Sequence, residues 1–167
     1  MNLCSPDDLL QAVNSNLARW TEAGRKLTIY VAKDPWHPYE LIAAGPQGLC
    51  VILCWAGAEA LGDGEAADLT LATQKLEVYL SFNLGLTAQP SAALTAGTAE
   101  RPSLLALVSL LTRRLRSLDF KDEARVQRFM RWAGTEPVTT PDGIPLAAYK
   151  IKFELDTDVE ELETQEI

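Results

Sequence analysis

Histidine is nearly absent from this chain: its 167 residues hold one, His37, together with only three cysteines, Cys4, Cys50 and Cys54. A His-centred triad needs a nucleophile and an acid held beside the imidazole, and a metal normally takes several ligands. His37 lies between two prolines in DPWHPYE and reads as a loop residue. Cys50 and Cys54 fall in an apolar run with strand character, where four residues span roughly 13 Å, too far for a disulfide. The C-x3-C spacing has no second pair and no histidine beside it, so both read as small core residues, with Cys4 a free thiol. An odd cysteine count without a signal peptide points to a reducing compartment. No apolar run approaches the roughly 18 residues that cross a bilayer, so a soluble protein is expected.

Phosphate and calcium loops are missing as well. GPQG and GDG lack the spacing and the following Lys-Ser/Thr of a phosphate loop, and Asp63, Glu65 and Asp68 in GDGEAAD do not complete a calcium loop. The expectation is therefore no catalytic set, no metal, no cofactor and no enzyme activity.

Positive charge is absent from one end of the chain. Net charge is -8 with a pI near 4.7, which argues against a surface that grips nucleic acid throughout. Residues 101–131 hold eight Lys/Arg against three Asp/Glu, whereas residues 154–167 hold seven Asp/Glu and no Lys/Arg. Two readings remain: a solvated helix face with a frayed end, or two complementary patches for self-association. The basic run Arg113, Arg114, Arg116, Lys121, Arg125, Arg128 and Arg131 could also meet a nucleic-acid backbone, although no aromatic interleaving supports specific recognition. As a subunit or partner interface the candidates are Arg113, Arg114, Arg116, Arg125, Arg128 and Arg131, facing Asp156, Asp158, Glu160, Glu161 and Glu163.

The hydrophobic patterning supplies the elements. SPDDLLQAVNSNLARW predicts a helix with Ser5 as N-cap, Pro6 and two aspartates in the first turn, and a stripe of Leu9, Leu10, Val13, Leu17 and Trp20. Residues 26–32 predict a strand, and LCVILCWAGA a buried one. Between them, KDPWHPYELIAAGPQG carries three prolines and predicts an irregular connection with at most one helical turn. EALGDGEAAD and residues 87–101 predict flexible loops. From Leu76 to Leu84 apolar and polar residues alternate strictly, the signature of a strand long for so small a domain. PSLLALVSLLTRRLRSL predicts a second helix with Pro102 in its first turn. RVQRFMRWAGTEPV predicts a strand of ambiguous facing, or a short helix, ended by Gly134. TPDG predicts a turn and PLAAYKIKFEL a closing strand. The sum is a single-domain α+β fold: a mostly antiparallel central sheet with two main helices packed on it, spanning 1–155, with an acidic tail over 156–167.

The closing unit GTEPVTTPDGIPLAAYKIKFEL, taken with the N-terminal amphipathic helix, the long alternating strand and the Pro-started helix, resembles the tail terminator (tail completion) proteins of long-tailed bacteriophages. The resemblance follows the order of elements over most of 1–155. It implies a small domain with a central sheet flanked by helices, assembled as a homo-oligomeric, hexameric ring on the last ring of the tail tube. Such a ring stops tube polymerisation and presents a surface to the head connector. The implied partners are further copies of the chain, the tail tube protein, a head–tail connector or neck protein and the tail sheath, with DNA passing through without sequence-specific contact and no membrane. The implied location is the virion tail, assembled in the host cytoplasm, and the family brings no catalytic residues to carry over. Two other readings stay open: another phage neck, connector or tube-initiator subunit, and a cytosolic ligand binder or enzyme with an apolar pocket around Trp36, His37 and Trp55. Deleting 156–167 is expected to weaken assembly and leave the monomer folded.

Overall fold

Ser5 opens the first helix by supplying an acceptor where the backbone lacks one. In the computed structural model its Oγ accepts the Asp8 amide at 3.1 Å, and α1 runs Pro6–Leu17. The structure describes residues 5–21, 27–44, 48–60, 71–86, 90, 92–97, 101–121, 127–140 and 146–158. Of the expected loop EALGDGEAAD, Glu59 and Ala60 instead continue the strand Leu49–Ala60, and the rest, like most of the TPDG turn, lies outside the described residues.

Five strands build the main sheet: β1 Leu27–Val31, β2 Leu49–Ala60, β3 Leu71–Asn83, β6 Arg131–Pro137 and β7 Leu146–Asp158. Their spatial order is β1-β2-β3-β7-β6. Only β1 and β2 run parallel; the remaining pairs are antiparallel, so the sheet is mixed and mostly antiparallel. A two-residue pair, β4 Phe120–Lys121 with β5 Gln127–Arg128, forms a separate ribbon.

Register turns the period of two into two faces. Leu53 stands beside Val78, and Val78 beside Ile151, while Leu76 stands beside Phe153. These residues, with Leu49, Val51, Leu80 and Leu155, make one apolar face. α1 and the second long helix, α3 Leu104–Arg116, both pack on that face through Leu9, Val13, Leu17, Leu104, Leu107, Leu111 and Leu115. The expected arrangement of two helices on one side of an α+β sheet is what forms.

The connection after β1 departs from expectation. His37–Ala43 forms α2, about two turns rather than at most one. The Asp34 carboxylate accepts the amides of Trp36 at 2.9 Å and His37 at 2.8 Å, and His37 Nδ1 accepts the Lys33 amide at 3.1 Å. Pro38 is harmless because it sits in the first turn, where its missing N–H would have had no helical partner. α2 covers the second face at one end, with Ile42 packed near Cys50, Ile52, Cys54 and Tyr79.

Four further expectations change. Within 87–101, Ala92–Ala96 forms a π-helical turn. Pro102 precedes α3 instead of entering it, and Ser103 is the N-cap, its Oγ accepting the Ala106 amide at 3.1 Å. Gly134 does not end its strand and no helix forms there: the residue lies inside β6 at a register shift, with φ of 136°. A bulge inserts one extra residue, and glycine reaches that backbone conformation without a clashing Cβ. β7 also continues to Asp158, three residues past the boundary expected at 155, and Thr157 is buried.

Candidate assembly surface

Beyond the reach of α2, the second face of the sheet is charged. The alternation that sends Ile151, Phe153 and Leu155 into the helix-covered core sends Lys150, Lys152, Glu154 and Asp156 the opposite way. Their cross-strand neighbours carry complementary groups. Tyr79, Glu77, Lys75 and Thr73 of β3 stand beside Lys150, Lys152, Glu154 and Asp156, and Glu136 of β6 stands beside Lys150. Opposite charges on one face of an antiparallel pair support the register.

Lys150 is the centre of this ladder. Its Nζ lies 3.2 Å from Glu136 Oε1, 3.8 Å from Glu77 Oε1 and 3.4 Å from the Tyr39 hydroxyl. The same ammonium sits 5.7 Å from the centroid of the Tyr79 ring, a cation–π distance. Burial works to lower its pKa, but the bond to Glu136 and the charge of Glu77 outweigh that and raise it. Tyr79 donates to Glu77 Oε2 at 2.7 Å; burial first, then that bond, push its phenol well above the usual range. Lys152, at 3.0 Å, and Lys150 hold Glu136 below the ordinary carboxylate value.

Further along the ladder Arg131 bonds Asp156 at 2.7 and 3.1 Å and lies 3.4 Å from Glu154. Asp156 also accepts from Thr73 Oγ1 at 2.8 Å. The bond to Asp156, then that to Glu154, raise the Arg131 pKa. Of the expected basic and acidic groups, Arg131 and Asp156 meet, and they do so within one chain.

The other candidates separate. Arg114 donates from Nε to Asn16 Oδ1 at 2.6 Å and from a terminal nitrogen to the Asn16 carbonyl at 3.0 Å. It ties α3 to the last turn of α1, where a cation faces the negative end of the helix dipole. Arg113 and Arg116 are exposed on α3, on the opposite side of the sheet from Arg131. The basic run is thus split between two faces. Arg128 and Asp158 lie in β5 and β7, and nothing is described of their side chains; Arg125, Glu160, Glu161 and Glu163 lie outside the described residues.

Neither His37 nor the cysteines form a reactive centre in the described residues. His37 braces the turn before α2, and Cys50 and Cys54 are buried core thiols pushed up to about 12 and about 11 by burial. No group of three or more His, Cys, Asp or Glu residues is placed to hold a metal ion among the described residues. Trp55 Nε1 donates to Gln74 at 3.1 Å in the helix-covered layer, away from Trp36, which is 75% exposed. A cleft of about 490 Å³ lies instead between α2 and the segment after β6, lined by Tyr39, Glu40, Ile42, Ala43, Val138, Thr139 and Thr140. Its walls contain none of Trp36, His37 and Trp55.

Trp36, expected as a pocket residue, is instead one of several exposed aromatics, with Tyr39, Phe129 and Trp132 among the others. Trp36 and Tyr39 stack obliquely at 6.3 Å by α2 on the charged side of the sheet, whereas Trp132, 50% exposed, stands beside Phe153 in the register and donates to Thr135 at 3.0 Å, so it belongs to the helix-covered side of the β6 edge. Only the fold shows which aromatics are left outside. The fold defines a single α+β domain with one helix-covered and one charged sheet face. No protein-family model and no curated protein matches the chain.

Proposed function

We propose that the protein is a structural subunit of a phage virion that assembles into a ring, caps the end of the tail tube, stops tube polymerisation and joins the tail to the head connector. The observation that carries this reading is the asymmetry of the sheet. One face is sealed by two helices, the other is a charged ladder with Trp36 and Tyr39 beside it, and exposed Trp132 at the β6 edge lies on the helix-covered side. A ring needs two different patches on each subunit, so that one patch meets its complement on the next copy. A charged face also suits a pore through which DNA passes without sticking, provided acidic groups prevail there.

Native mass by light scattering, over a concentration series and at low and moderate salt, tests the ring directly. A closed ring, alone or on addition of tail tubes, and shortened tubes in a polymerisation assay are the expected results. A strict monomer that leaves tube length unchanged refutes the reading. The cleft beside Tyr39 favours a second reading, a ligand-binding protein, which saturable binding of a small apolar compound and a monomeric mass would support.

A further inference from the structure

Among the described residues the outer edge of β1 is open. The Ala32 amide donates inward to the Leu53 carbonyl at 2.8 Å. With a period of two, the amides and carbonyls of Thr28 and Tyr30 also face β2, whereas those of Leu27, Ile29 and Val31 face outward. β1 is terminal in the sheet order, and among the described residues those outward groups have no hydrogen-bond partner. Edge strands of soluble proteins are commonly blunted by an inward charge, a proline or a bulge. β1, LTIYV, has none of these, while the opposite edge, β6, has Arg131, Pro137 and a bulge.

Charge selects what can cover it. Arg25, Lys26 and Lys33 flank the strand, and no Asp or Glu occurs from 23 to 33. Antiparallel pairing of two β1 strands about Ile29 sets Arg25 against Lys33, so self-pairing is repelled. An extended acidic segment is matched instead. The chain carries one in 159–167, with four Glu, no Lys or Arg, and apolar Val159, Leu162 and Ile167.

Geometry decides whose segment it is. Val31 is level with Ile151 through Leu53 and Val78, so β7 ends seven residues beyond β1. That is roughly 23 Å along the strands and roughly 14 Å across them, a path of about 27 Å. Nine residues span at most about 30 Å, leaving none to pair in the same chain. We propose that residues 159–167 of one copy add to the open β1 edge of the next as an extended strand, the contact that links neighbouring subunits. This rests on the assembly reading above and supplies its unlike pair of patches.

Amide exchange, measured by NMR on the full chain and on a variant lacking 159–167, tests it. The amides of Leu27, Ile29 and Val31 are expected to exchange roughly tenfold faster in the truncated chain. Val31→Pro removes one outward donor at a position 44% exposed. It is expected to lose assembly like the truncation while keeping its far-ultraviolet circular dichroism, with Val31→Thr assembling normally. Equal exchange in full and truncated chains, or unchanged assembly of Val31→Pro, overturns the proposal. If the ring persists through those results, the assembly reading stands without this contact; if the full chain stays a monomer at every concentration and with tail tubes added leaves their length unchanged, both fall.

Discussion

At the scale of single residues, arginines that look alike in the sequence have different roles. Arg114 bonds the end of α1 through Asn16, whereas Arg113 and Arg116 face solvent. Arg114→Ala is expected to cost about 1–2 kcal/mol in urea unfolding, and Arg113→Ala and Arg116→Ala less than about 0.5 kcal/mol each. Titration separates other residues. Glu136 has a lowered folded pKa, so its contribution is complete above the unfolded value near 4.5 and is lost as pH falls through the lowered one. Glu136→Gln should flatten the acid side of the stability profile. Cys50 behaves in the opposite sense. Its pKa rises from 9.0 to about 12, so stability is full below pH 9.0 and declines as pH climbs towards 12, where the unfolded thiol ionises and the folded one resists. Cys50→Ala should shallow that decline; an unchanged slope refutes the assignment.

At the scale of elements, local chemistry decides where helices and strands begin and bend. Ser103→Ala removes the acceptor at the start of α3 and should cost about 1 kcal/mol. An added Cβ at Gly134 meets nothing within 4 Å, so any cost there is conformational. Gly134→Ala should destabilise by about 1–3 kcal/mol and loosen the β6 register. A melting temperature equal to that of the parent protein would show that the bulge tolerates a side chain. α2 exists because Asp34 and His37 organise the turn before it, a reading in which the prolines position the helix rather than prevent it.

At the scale of the whole molecule, removal of 156–167 takes away Asp156 and buried Thr157 of β7, so that deletion should lower the melting temperature of the monomer itself, while a cut after 158 should remove only the part of the stability that assembly adds. Thermal unfolding of the two truncations side by side distinguishes strand from tail. The period of two in 76–84 and 149–155 and the stripes of both long helices were legible in the amino-acid order, because burial of one face repeats with the geometry of the element itself. Those patterns determined the α+β class, the buried strands and the core cysteines. Only the tertiary structure decided that Arg131 meets Asp156 in the same chain, that Arg113 and Arg116 lie on the far side of the sheet, and that Lys150 sits between Glu77, Glu136 and two tyrosines. The physical reason is that cross-strand partners are set by register and strand order, which join residues as far apart as Tyr39 and Lys150, and no local periodicity encodes that pairing.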